Sequence, residues 1–343
     1  MKNTKFTFWI ISIVITLTIA CKKTPFVPAQ APADVYIAGN LYYNSDSDIH
    51  AQAVYWKNNQ LVMLQNDDRS TYSTDIYVAG NDIYVSGYIS YGRTNAPVYW
   101  KNGVLNMLPM QNPALIKNGL AQKIMVVNNV VYVAGAEFYS GEYVMKVWQN
   151  GIGTNLTAIG NKAFPNDMDI SNGNVYVVGY EKQPDTALNV FENNWKNNVA
   201  QTRIGNSTSI LNGIKIIGTD IYTVGIINNA TVCRINGTAQ TYFINATMKD
   251  IFIANNTRYI CGVSQNKASY WMNDSLINLS SPFLTESSAD GIAVNGLDIY
   301  IAGYEKVASG KKKATYWLNA QALTLPDSTS LESLANSIYV VKL

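Results

Sequence analysis

The hexapeptide Asp298-Ile299-Tyr300-Ile301-Ala302-Gly303 returns along this chain, as Asp34-Val35-Tyr36-Ile37-Ala38-Gly39 and as Asp82-Ile83-Tyr84-Val85-Ser86-Gly87. Weaker copies occupy residues 130–135, 174–179, 220–225 and 257–262. The closing glycines stand at 39, 87, 135, 179, 225, 262 and 303, a period of 37 to 48 residues. A unit of that length, built from β-formers and turn residues, buries its apolar surface by stacking on its neighbours. The period therefore restricts the chain to a repeat architecture.

The best-formed unit spans residues 289–325. A short apolar strand a (290–294) is followed by turn residues Asn295-Gly296-Leu297 and by strand b (298–303). A polar loop leads to strand c, Ala314-Thr315-Tyr316-Trp317-Leu318, and Asn319-Ala320 turns the chain into strand d, 323–325. Short β-branched or aromatic runs bounded by Asn, Gly and Asp read as hairpins. Strand b is apolar at nearly every position, as expected of a strand covered on both faces. Strand c repeats as Ala53-Val54-Tyr55-Trp56-Lys57-Asn58 and Pro97-Val98-Tyr99-Trp100-Lys101-Asn102-Gly103. Trp148, Trp195, Trp271 and Trp317 take the same place later, while unit five carries Cys233 and Arg234 at the Tyr and Trp positions. A ring at one repeated site reads as packing between units.

Four antiparallel strands per unit and seven units predict an all-β, seven-bladed β-propeller over residues 34–343. The first unit lacks a strand a. Within the C-terminal residues 337–343, Ile338 lies 13 residues beyond Leu325, the spacing that separates Leu279 from Ile292, so this segment is read as the missing strand of blade one. Strand b ending in Gly resembles the Kelch and galactose-oxidase type of propeller, without the Kelch double glycine. The strand c pattern, seen in residues 53–58 with Leu61 and Leu64 after it, resembles the bacterial extracellular repeats called HAF. That resemblance implies a fold and no single activity.

Lys2 and Lys5 precede an apolar run over residues 6–20, with Cys21 directly after it. This reads as a secretory leader over residues 1–20. A cysteine at the cut resembles the bacterial lipoprotein signal, with Cys21 lipidated, although Leu17 stands four residues before it rather than three. The alternatives are an ordinary signal peptide or a transmembrane anchor, the latter wanting about 20 apolar residues. Residues 21–33, rich in Pro and Ala, are expected to tether the folded body to a bacterial envelope membrane, on the periplasmic side or at the cell surface.

Charged residues make up only 14% of the chain and the net charge is +2, which gives no electrostatic case for nucleic acid. Lys311-Lys312-Lys313 is read as a solvated loop. A single histidine and three cysteines leave little material for metal or nucleophilic chemistry, and no metal or cofactor is expected. Asp46, Asp48 and His50 form D-x-D-x-H without the central Gly and terminal Glu of a Ca²⁺ loop. Cys233 and Cys261 are read as buried thiols, with pairing in an oxidising envelope as the alternative.

Binding groups are expected on the connections from strand b to strand c, which surround one mouth of the channel. These look long and aromatic in units one to four and seven, and short in units five and six. Candidate ligand contacts are Tyr42, Tyr43, Tyr88, Tyr91, Tyr139, Tyr180 and Tyr304. Asp75, Asp169 and Asp250 fall near the channel at no common register, which leaves a catalytic carboxylate pair without support. The chain is accordingly expected to be a monomeric, non-enzymatic module binding glycan or protein. The rival reading is a glycan-active hydrolase or lyase with its site at the channel mouth.

Overall fold

The computed structural model describes residues 33–44, 49–111, 118–182, 190–201, 209–227, 230–243, 245–281 and 283–343. The chain divides into two units, Met1–Gln30 and Ala31–Leu343. The leader, Cys21, almost all of the tether, Asp46 and Asp48 lie outside the described residues. The second unit is a ring of seven antiparallel sheets of four strands each.

From blade two to blade seven the innermost strands a are Thr71–Ala79, Gly119–Val127, Lys162–Ser171, Ile210–Ile217, Ala246–Ala254 and Ser287–Asn295. In blade one that strand is C-terminal, Glu332–Lys342, and it pairs with the N-terminal strand Ala33–Asn44 from Ala33↔Lys342 to Tyr42↔Glu332. Ten residue pairs thus close the ring with the two ends of the folded body, as the spacing predicts.

The repeated glycine has a different role from the strand terminator read in sequence. Every strand b runs on beyond it, for instance Asp82–Ser90 and Asp298–Lys306. Opposite the glycine, strand a carries one extra residue, a β-bulge, in all seven blades. The bulge drives a carbonyl onto the glycine. A Cβ at Gly87 would stand 1.9 Å from the Tyr72 oxygen, and one at Gly303 1.9 Å from that of Ser288. Any side chain there collides with backbone, so the repeat keeps Gly. Between blades lie the tryptophans. Trp56, Trp100, Trp148, Trp195 and Trp317 are fully buried, and Nε1 of Trp56, Trp100 and Trp148 donates to Pro326, Gln65 and Pro109 carbonyls at 2.7, 2.7 and 2.8 Å.

The asparagine after strand c is equally structural. In all seven blades it has positive φ, from 44° at Asn273 to 50° at Asn102 and Asn236, and opens a two-residue turn whose second residue is also left-handed. Asn tolerates that region better than other side chains. Its Oδ1 accepts the N–H near the start of strand b, as Asn102 does from Ile83 at 2.8 Å, and Nδ2 of Asn102 donates to Asp82 at 2.7 Å. The asparagine cap recurs in every blade, and where Asp-x-Tyr on strand b meets Trp-x-Asn on strand c, as in blades one, two and seven, the two motifs together describe that corner, set away from the channel mouth described below.

Candidate functional site

Strands a face the channel with an unpaired edge, whose backbone groups must be satisfied by something other than a neighbouring strand. The bulges supply this. Their extra residues, from blade one to blade seven, are Asn336, Thr74, Gln122, Asn166, Asn212, Lys249 and Asp290. Four of them donate to the carbonyl just ahead of the bulge in the next blade. Asn336 reaches Ser73 at 2.7 Å, Thr74 reaches Ala121 at 3.0 Å, Asn166 reaches Leu211 at 2.8 Å and Asn212 reaches Met248 at 2.7 Å. Lys249 and Asp290 instead pair with each other at 2.9 Å, and Asp290 also accepts from Ser288 at 2.9 Å.

One residue further along, Ser337, Asp75, Lys123, Asp167, Gly213, Asp250 and Gly291 make the channel's waist. Asp75 and Asp250 share a register after all, with Asp167 as a third member; Asp169 belongs two residues below. The bulge inserts a residue ahead of them, and alignment from the preceding turn hides the match. A signal was present: each directly precedes the buried apolar residue of its strand, Ile76, Met168 or Ile251. These carboxylates staple blades together. Asp75 accepts the Ile124 N–H at 3.0 Å, Asp167 that of Ile214 at 2.8 Å, Asp250 that of Ile292 at 3.0 Å and Asp169 that of Ile216 at 2.7 Å. Ser337 donates to Asp75 at 2.6 Å, joining blade one to blade two.

Lys123 bridges Asp75 at 3.1 Å and Asp167 at 3.3 Å. Burial opposes its charge, but Asp167 and Asp75 hold its ammonium well above the usual lysine range. Burial pushes the Asp167 carboxyl up to about 6 against the pull of Lys123, and burial likewise raises Asp250. One cation serves three carboxylates at the waist, and each carboxylate also accepts a backbone N–H from the next blade. Acids so engaged are braces of the ring, which counts against their use as a proton donor and nucleophile pair.

Above the waist opens a cavity of about 600 Å³, lined by the bulge residues of all seven blades together with Asn40, Tyr42, Tyr72 and Tyr88. Tyr72 and Tyr88 pair across strands a and b of blade two and stack with centroids 4.7 Å apart and planes 17° apart; Tyr42 lies 6.5 Å from Tyr72. Burial pushes the Tyr88 hydroxyl up to about 12, so it stays a neutral donor. Below the waist a second space of about 350 Å³ is lined largely by apolar side chains, among them Met125, Phe252 and Tyr339.

The structure separates the seven tyrosines expected as contacts. Six sit on strands rather than loops, because strand b continues past its glycine and pairs with strand c. Tyr42 and Tyr88 line the mouth. Tyr43 packs on the core between blades seven and one. Tyr139 is buried, with its hydroxyl 3.4 Å from Glu137 in a fully buried Lys146–Glu137 pair. Tyr180 meets Phe164 at 5.7 Å between centroids. The Tyr304 hydroxyl donates to Glu286 at 2.8 Å, a carboxylate that Lys312, Tyr304 and Lys306 together hold down at about 2. Tyr91, just beyond strand b of blade two, is exposed under the Arg69 guanidinium at 4.5 Å. Sequence reasoning missed Tyr72, which lies on strand a and follows no repeat.

His50 is half-buried with Nδ1 3.3 Å from the Ser70 hydroxyl, and no cluster of metal-ligating side chains forms among the described residues. Cys233 and Cys261 are both free and buried, in different inter-blade cores. Burial raises both, Cys233 to about 11, so neither is an activated thiol.

No family model and no curated protein matches the chain. Solved structures resemble it in fold. The β-propeller domain of the Trilobed protease from Pyrococcus furiosus, described as having an open velcro topology, aligns at a TM-score of 0.55 and 8% identity, over 86% of this chain and 93% of that one. A puromycin-hydrolyzing peptidase from Mycobacterium tuberculosis aligns at 0.55 and 8% identity over 85% of this chain. The structure of a puromycin hydrolase does so over 84%, again at 0.55 and 8%. This chain spans about half the length of those two hydrolases, 53% in each case. Identities this low establish a shared propeller architecture alone.

Proposed function

We propose that the chain is a non-enzymatic binding module that takes its ligand at the channel mouth above the Asp75–Lys123–Asp167 waist, and that it works at a bacterial envelope membrane through a lipid on Cys21. The observation that carries the binding reading is the division of labour along the channel wall. The waist carboxylates Asp75, Asp167 and Asp250, which a hydrolase or lyase working there would need free, are engaged in joining blades. The mouth above them offers a stacked tyrosine pair beside amide and charged side chains, the mixed lining of a recognition pocket. The anchor rests on the leader-like residues 1–20 and the cysteine that follows them.

Screening residues 31–343 against envelope glycans and proteins tests the binding reading. The ligand found should bind at least tenfold more weakly to Tyr88→Ala, since aromatic anchors dominate such sites, with the melting temperature little changed. Undiminished affinity in Tyr88→Ala and Tyr42→Ala would place the site elsewhere. For the anchor, Cys21→Ser should shift the full-length protein from the detergent phase to the aqueous phase on fractionation. Unchanged partitioning would remove the lipid from the account.

A further inference from the structure

The repeat itself marks which mouth residues depart from the hydrogen bond that the others make to the next blade. Seven bulge side chains stand at equivalent positions. Those of blades one, two, four and five are spent on the carbonyl of the next blade. The departures are Gln122, Lys249 and Asp290. Gln122 makes no side-chain hydrogen bond among the described residues, though its type is as able to donate as Asn166. Lys249 turns to Asp290, and a carboxylate at 290 accepts where the pattern needs a donor. Blades three, six and seven carry these departures, and in a closed ring of seven the third blade lies across the channel from the sixth and seventh. The exceptions therefore face one another over the mouth.

Their chemistry is matched. A side-chain amide offers one donor group and one acceptor, and so does an ammonium–carboxylate pair. A hydroxyl both donates and accepts, so neighbouring hydroxyls suit such partners on both sides. Between them the stacked Tyr72 and Tyr88 line the mouth with aromatic surface, the type of partner that the C–H face of a sugar ring takes. The charged groups of the lining are Lys123 and Lys249 against Asp167, Asp250 and Asp290, which leaves one negative charge and disfavours an acidic ligand. A peptide adding as a strand would need a free edge. The inner edges are already occupied, at the Ser73, Ala121, Leu211 and Met248 carbonyls and at the Ile124, Ile214 and Ile292 amides.

We infer that the mouth recognises a neutral saccharide, with Gln122 on one wall and the Lys249–Asp290 pair on the other as its specificity-determining residues and Tyr72 and Tyr88 as its stacking surface. This rests on the mouth being the binding site. The test is calorimetry on residues 31–343 with cellohexaose, mannohexaose and, as the acidic counterpart, hexagalacturonate. At least one neutral hexasaccharide should bind, and hexagalacturonate at least tenfold more weakly. Gln122→Ala and the double substitution Lys249→Ala with Asp290→Ala should each weaken that binding tenfold or more. Asp169→Asn, below the waist, should lower the melting temperature and leave the dissociation constant as it was. Binding of neither neutral sugar, or tighter binding of hexagalacturonate, overturns the inference. Sugar binding that ignores Gln122 and the 249–290 pair but falls with Tyr88→Ala overturns it while leaving the mouth in place. Sugar binding that ignores all of these substitutions removes the mouth as well.

Discussion

A single lysine at the waist holds together residues from three blades, and this makes the ring's stability depend on pH. Asp167 titrates near 6 in the folded protein because burial costs its charged form more than Lys123 returns. Its ordinary value is 3.8, so its folded pKa lies above its unfolded one. Between about pH 4 and pH 6 the folded chain then holds a proton that the unfolded chain has lost, and stability falls as pH rises through that window. Retaining that proton up to about pH 6 corresponds to about 3 kcal/mol as an order of magnitude. Asp167→Asn cannot ionise, so its unfolding free energy should be flatter than that of the parent from pH 4 to 6 in denaturant titrations. An unchanged slope would mean that Asp167 is charged throughout this window. Because Asp250 is raised by the same burial, a residual slope in the variant is expected rather than none.

At the scale of the strand, closure of blade one is the step most exposed to damage. The C-terminal strand Glu332–Lys342 contributes ten ladder pairs, the buried Ile338, the Ser337 bond to Asp75 and the Asn336 bond to Ser73. Each ladder bond is worth about 0.5–1.5 kcal/mol net, against typical domain stabilities of about 5–15 kcal/mol. Deleting residues 332–343 should therefore leave an aggregating or unfolded protein, and a truncated chain with the parent's melting temperature would contradict the closure. This strand was legible beforehand because its distance from Leu325 matched that of another unit. The glycines, tryptophans and turn asparagines were legible for a related reason, since each meets the same steric demand in nearly every blade. The bulges were not. An extra residue is tolerated as Thr, Gln, Asn, Lys or Asp, so composition does not betray it, and without it Asp75, Asp167 and Asp250 seem unrelated. Tyr88 was visible after its glycine, but its partner Tyr72 was not, because what brings the two together is the pairing of strands a and b in blade two.

For the whole molecule, near-sevenfold repetition separates what holds the ring from what is left over. Glycine at the bulge and asparagine at the corner recur in all seven blades, and tryptophan between blades in six, because the architecture makes the same demand at each. What does not recur is concentrated at one end of the channel, where Gln122, Lys249, Asp290 and the tyrosines of blades one and two surround a cavity of about 600 Å³. Strand a of blade one, C-terminal in the chain, pairs with the N-terminal strand that carries Tyr42, and Tyr42 stands 6.5 Å from Tyr72 of blade two at the mouth. Hydrogen–deuterium exchange of residues 31–343, with and without a saturating neutral hexasaccharide, tests directly whether the mouth is the binding site. Added protection is expected in segments around residues 72–74, 120–123, 248–250 and 288–291, with the outer strands d unchanged. Protection confined to the outer strands, or to the opposite end of the channel around Met125, Phe252 and Tyr339, would contradict binding at the mouth.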